Sequence, residues 1–219
     1  MSKIVLNKPV LVMLYGFPGS GKSYVSRQLA EAVQIAHVSA DRVRSELFEH
    51  PRFDQQEDAI VAHLMNYMTQ EFLNTGVGVI YDANAMRLTQ RRALRELAAQ
   101  HRAHSLMIWL QVDAETAFAR TQNRDRRTTD DKFAEPQSQL SFDKQLSFMQ
   151  NPQREEYIVI SGKHNFITQK GAILNRFYQL GLIDSLTVQS QIAAPGLINL
   201  VPNPQAGRVD LSRRNINVG

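Results

Sequence analysis

The sequence predicts an α/β fold: a five-stranded parallel sheet in the order 2-3-1-4-5, with helices packed on both faces. Three observations predict it. Short apolar, β-leaning runs alternate along the chain with longer amphipathic segments, the pattern of repeated strand–helix units. The first such run enters a helix through a glycine-rich joint, Gly16-Phe17-Pro18-Gly19-Ser20-Gly21-Lys22-Ser23. Right-handed crossovers, with that joint after the first strand, then lead to the stated strand order.

Bulk composition bounds the rest. The chain has 219 residues, 43% of them hydrophobic, which suits one domain with a sizeable core. Residues 1–184 read as that domain and 185–219 as an extended tail. Cysteine is absent. That rules out a disulfide framework or a thiolate metal site, and fits a reducing, cytoplasmic setting. No apolar run reaches the length of a membrane span, so no membrane partner is expected. Lys3 and Lys8 precede an apolar stretch in the manner of a secretory leader. The stretch is short, lacks a small-residue cleavage site and runs straight into the glycine joint, so it reads as the first core strand. The formal charge of +4 is compatible with an anionic substrate or nucleic acid without requiring either.

The elements follow in order. Val10 to Tyr15, between Pro9 and Gly16, is the first strand, and Tyr24 to Gln34 the first helix. Ile35 to Ser39 is the second strand, with His37 read as an ordinary strand residue. A helix opens at Ser39-Ala40-Asp41-Arg42-Val43-Arg44 and ends before Pro51. Asp54 with Glu57 has the form of a capping box and starts a helix that Gly76 stops near Asn74. Its apolar face reads as Ile60, Leu64, Tyr67, Met68 and Phe72, turned to the core. Val77 to Asp82 is the third strand. The helix over Thr89–Gln100 turns Leu94, Leu97 and Ala98 inward and Arg91, Arg95 and Arg102 outward; that stripe is a solvated face or a track for a polynucleotide. Ser105 to Val112 is the fourth strand, and Asp113 starts the next helix. Ser138 to Gln150 is helical, Tyr157 to Ile160 is the fifth strand, and Lys170 to Leu180 is the last helix. Beyond Gly181 the prolines and glycines break any long element. There are no internal repeats.

The chemistry concentrates at the joint after the first strand. G-x-x-x-x-G-K-S between a strand and a helix is a phosphate-binding loop of nucleoside-triphosphate proteins. Gly16, Gly19 and Gly21 let the backbone turn tightly and approach an anion closely. The N–H groups of Gly16, Phe17, Pro18's neighbours, Ser20 and Gly21 can then face phosphate oxygens at a helix N-terminus, ahead of Tyr24. Lys22 supplies a point charge to the β- and γ-phosphates of ATP, and the Ser23 hydroxyl is placed to ligate Mg²⁺. Asp82, ending an apolar strand as Asp82-Ala83-Asn84, is the acid that holds Mg²⁺ or its waters in such proteins. Asp41 and Arg44, three apart, share a helical face just past the second strand, where site residues of open α/β sheets gather.

These stretches resemble the small phosphate-loop kinases, and within them the polynucleotide kinase and zeta-toxin-like group. The resemblance rests on Gly16–Ser23, Ser39–Arg44, Val79–Asn84 and the arginines Arg120, Arg124, Arg126 and Arg127, and spans about residues 9–180. It implies a phosphate-loop kinase fold with an arginine-rich lid at about 120–137. It implies Asp41 as general base and Arg44 as the residue orienting acceptor or phosphate. Arg124 joins Lys22 in the catalytic set and Arg120 and Arg127 the nucleotide-binding set, although spacing does not choose among the lid arginines. The implied reaction is transfer of the γ-phosphoryl of ATP to a hydroxyl: a nucleic-acid 5′-hydroxyl, a nucleotide-sugar or another small metabolite. No Asp-x-Asp-x-Thr or Asp-x-Asp-x-Val phosphatase signature occurs, so a fused end-healing enzyme is not expected. Rival readings are a nucleotide-dependent switch or adaptor, and a plain NTPase. The Asp41/Arg44 pair argues against the latter, since water needs no acceptor pocket.

Overall fold

The computed structural model describes residues 3–124, 127, 132–133 and 136–185. Much of the expected lid and nearly all of the expected tail lie outside these residues. The described chain runs β1 (Val10–Tyr15), α1 (Lys22–Ala32), β2 (Ile35–Ser39), α2 (Ala40–Leu47), α3 (Gln55–Asn74), β3 (Gly78–Asn84), α4 (Leu88–Gln100), β4 (His104–Gln111), α5 (Ala114–Gln122), α6 (Gln139–Ser147), β5 (Tyr157–Ser161) and α7 (Phe166–Gln179). The strands form one parallel sheet in the order β2-β3-β1-β4-β5, as the sequence pattern predicts.

β1 lies in the middle and is buried at every position, which is why its sequence is apolar throughout rather than alternating. Successive side chains point to opposite faces of a strand. Val10, Val12 and Leu14 therefore enter one core with Val25 and Leu29 of α1 and Ile173, Leu174 and Phe177 of α7. Leu11, Met13 and Tyr15 enter a second core with Val61 and Met65 of α3 and Leu94, Leu97 and Ala98 of α4. With every strand parallel, all loops that follow a strand emerge at one edge, and the functional side chains gather there.

Local signals set the helix starts. The Ser39 hydroxyl caps α2 by accepting from the Arg42 N–H, and Asp54 caps α3 by accepting from the Glu57 N–H at 2.9 Å. The Glu57 carboxylate reaches back past the cap, accepting from the N–H groups of Arg52 and Phe53, each at 2.9 Å. That pins the bend ahead of α3 and holds Phe53 beside the site.

Two expectations are corrected. The buried face of α3 is Glu57, Val61, Met65, Thr69 and Leu73. Ile60, Tyr67 and Phe72 are exposed, while Leu64 and Met68 sit at the boundary. Apolar residues occupy much of the circumference of this helix, so periodicity alone does not choose between faces about 100° apart; packing against β2 and β3 does. On α4, Arg91 is not outward: it is wholly buried. Its guanidinium pairs with Glu155 at 2.8 Å and donates to the carbonyls of Ala85 and Met86 at 2.9 and 3.0 Å. Arg95 also pairs with Glu155. Burial raises the Glu155 carboxyl, but hydrogen bonds and charge from both arginines outweigh it and hold the group below its ordinary value. A partner some sixty residues away in sequence turned these side chains inward, and helical periodicity carries no trace of it.

Candidate active site

The phosphate loop joins β1 to α1 with Gly19 at φ +78° and Gly21 at φ +97°. A side chain at Gly19 would sit 2.1 Å from the Ala117 carbonyl oxygen, so the loop can lie against α5 only with glycine there. Gly21 is the residue before α1, and its left-handed backbone swings the chain into the helix. The Lys22 ammonium folds over the loop, donating to the carbonyls of Gly16 at 3.0 Å and Phe17 at 2.8 Å. Asn84, from the end of β3, donates to the same Gly16 carbonyl at 2.9 Å. The loop is thus braced from two sides.

The loop forms one wall of an open cleft of about 2490 Å³ along the strand ends. Lys22, Ser23, Asp41, Arg44, Asp82, Arg120 and Arg124 all line it, with Pro18, Gly19, Ser20, Gly21 and Tyr24. Elements far apart in sequence thus bring the expected residues together. The Ser23 hydroxyl donates to one carboxylate oxygen of Asp82 at 3.3 Å. The other oxygen of Asp82 lies 2.9 Å from His37 Nε2. Burial lowers the Lys22 ammonium to about 8; Arg124 adds to this while Asp82 and Asp41 oppose it. Burial pushes the Asp41 carboxyl up, helped by the Asp82 charge, against Arg124, Arg44 and Lys22. A carboxyl raised this way is a stronger proton acceptor once ionised.

The Ser23–Asp82 pair offers two hard oxygen donors a short distance apart, a set that suits Mg²⁺, which takes few protein ligands and fills its shell with water and phosphate oxygens. Among the described residues no cluster of three or more acidic or histidine side chains forms a protein-only metal cage.

Some expected residues depart from their anticipated settings. Arg44 is buried and engages Asp58, with Glu57 at 3.9 Å and the Phe53 ring 4.9 Å beneath its guanidinium. It is held by the acids of α3 rather than paired with Asp41. Phe17 lines a separate cavity of about 580 Å³ with Tyr15 and Trp109. Arg120 donates to the Gly162 carbonyl at 2.9 Å. Arg127 is exposed and is not part of the cleft wall; outside a regular element, spacing does not orient a side chain. Tyr24 packs edge-on to Phe166 at 6.4 Å. Sequence reasoning missed His37. Its position two residues before Ser39 placed it on a strand face, but only the β2–β3 register reveals Asp82 as its partner.

A search among curated proteins gives no match. Solved structures do match. A gluconokinase from Sinorhizobium meliloti 1021 is 18% identical with a TM-score of 0.58, covering 83% of this chain and 98% of its own. Kti12 from Chaetomium thermophilum, in complex with ADP-AlF3, is 16% identical with a TM-score of 0.59, covering 80% of this chain and all of its own. A chain of the Pnkp1/Rnl/Hen1 RNA repair complex is 19% identical with a TM-score of 0.55, and the match covers 64% of this chain and 44% of that one. At these identities the likeness is one of fold, a five-stranded parallel sheet flanked by helices, in keeping with the strand order described above. The AAA domain model matches residues 11–152, from the first core strand through the phosphate loop and cleft to the segment before β5, and the chain belongs to that family.

Proposed function

We propose that this protein is an ATP-dependent phosphotransferase that moves the γ-phosphoryl group to the hydroxyl of a small acceptor. The observation that carries this reading is the convergence, on one cleft, of the phosphate loop with Lys22, the Ser23–Asp82 oxygen pair and the Asp41 carboxylate. The loop and Lys22 bind the phosphates. Asp41 takes the proton from the acceptor hydroxyl as its oxygen bonds to the γ-phosphorus, and the bond to the β-phosphate oxygen breaks to release ADP. Lys22 and Arg124 stabilise the charge spread over the transferred group. Mg²⁺ held by Ser23 and Asp82 would neutralise phosphate charge. The ADP-AlF3 bound to Kti12 agrees with nucleotide use on this fold, and the gluconokinase of like fold agrees with a kinase reading.

A small acceptor is favoured over a nucleic-acid 5′ end by charge. Two of the three arginines that would form a track along α4 and the turn after it are committed to Glu155, and Arg44 is paired with Asp58. The test is transfer of label from γ-labelled ATP with Mg²⁺ to a pool of small metabolites and nucleotide-sugars, and in parallel to a 5′-hydroxyl oligonucleotide, with Lys22→Ala as blank. Label on a small molecule, with an acceptor KM nearly independent of salt, supports the reading. Label on the oligonucleotide, with log KM rising steeply with log salt, overturns the acceptor assignment and keeps the kinase. Label in neither, with lid or tail changes on nucleotide binding, favours the switch or adaptor.

A further inference from the structure

We infer that His37 is a positioning residue for the metal-facing carboxylate of Asp82; this rests on the reading of Ser23 and Asp82 as the Mg²⁺ side of the nucleotide site. In the β2–β3 ladder His37 stands opposite Ile80 and Ser39 opposite Asp82. His37 and Asp82 are therefore diagonal neighbours on one sheet face, a separation a long side chain spans. The His37 Nε2 to Asp82 Oδ2 distance is 2.9 Å, and Ser23 donates to Oδ1 at 3.3 Å. Each oxygen of the carboxylate thus has its own partner, one on the sheet and one at the start of α1.

Asp82 has a side-chain exposure of only 4%, so water does not readily replace a lost partner. The terminal torsion of an aspartate is broad. Without His37 the carboxylate is free to rotate, and one buried oxygen is left unpaired. With His37 its plane is fixed, and the remaining lone pairs of Oδ1 stay turned toward the Ser23 hydroxyl. Outer partners that orient metal-ligating groups typically change metal affinity 10–100-fold when removed. The residues around the base of this pair, Ile35 and Ile80, belong to an apolar core cluster.

The experiment measures Mn²⁺ affinity by electron paramagnetic resonance, with a non-hydrolysable ATP analogue at saturation, in the full chain and in His37→Leu and His37→Gln. Nucleotide affinity without metal is measured alongside. The expected result is a 10–100-fold weaker Mn²⁺ affinity in His37→Leu, recovery to within a few-fold in His37→Gln, whose amide can still donate to Oδ2, and a much smaller change in metal-free nucleotide affinity. Unchanged Mn²⁺ affinity in His37→Leu overturns the inference. So does a loss that His37→Gln shares in full, or one matched by metal-free nucleotide affinity, since either marks a role in the strand alone. These readouts need no acceptor. An absence of phosphoryl transfer would sink the proposed activity and leave the metal measurement standing.

Discussion

Raising the pH past 8 is expected to weaken nucleotide binding by discharging Lys22. Burial brings this ammonium from 10.5 down to about 8. The sign follows from proton counting. In the free protein Lys22 loses its proton as pH rises through about 8, whereas bound phosphates favour the charged form and return its pKa toward the ordinary lysine value. Above pH 8, binding must therefore take up a proton, and affinity falls with pH. Between pH 7 and pH 9 the expected loss is roughly tenfold, about 1.4 kcal/mol. The nucleotide does not confound this, because its terminal phosphate ionises near pH 6. The assay is calorimetric titration with ATP analogue at constant ionic strength from pH 7 to 9.5, in buffers of different ionisation enthalpy so that proton uptake is counted. Lys22→Arg keeps its charge across the range and gives a flat profile. The reasoning fails if wild-type affinity is level from pH 7 to 9.5, or if Lys22→Arg shows the same slope. The same shift has the opposite effect on the unliganded fold: the unfolded chain binds more protons between about pH 8 and 10.5, so folding stability rises across that window.

Three further outcomes are expected. Asp41→Asn lowers phosphoryl transfer by ~10²–10⁴-fold while nucleotide affinity stays within a few-fold, measured by label transfer and analogue titration; full transfer in this variant would remove Asp41 as the base. Arg91→Leu leaves the buried Glu155 carboxylate to Arg95 alone and removes the donor to the Ala85 and Met86 carbonyls, lowering unfolding free energy by about 3–5 kcal/mol in urea titration, whereas a shift of a few tenths would mean the pair is not buried in solution. Tyr67→Ser, on the exposed face of α3, shifts stability by no more than ~0.5 kcal/mol; a loss of 2 kcal/mol or more would restore this face to the core.

Much of this protein is legible in its residues alone. Strand positions, strand order and the phosphate loop follow from apolar runs, glycine placement and chain handedness, because each is a local or near-local constraint on the backbone. The loop needs φ values that glycine supplies, and the motif states this in eight letters. That Asp41, Asp82 and Lys22 come to one cleft was legible for the same reason: each lies close to a strand end, and in a parallel sheet all such ends share one edge. Only the tertiary structure decided which way side chains of mixed character turned. Arg91 read as solvated and is buried, because Glu155 and two loop carbonyls wait for it across the fold. Of the apolar stripe of α3 read as core, Ile60, Tyr67 and Phe72 lie outside and Leu64 and Met68 at the boundary, because packing against the sheet selected the neighbouring face. Arg44, expected to orient acceptor or phosphate, lines the cleft with Asp58 as its partner, and His37 read as an ordinary strand residue and meets Asp82. Each depends on a partner brought near by packing rather than by sequence spacing, and periodicity along one element records the spacing of its own residues, not what stands opposite them.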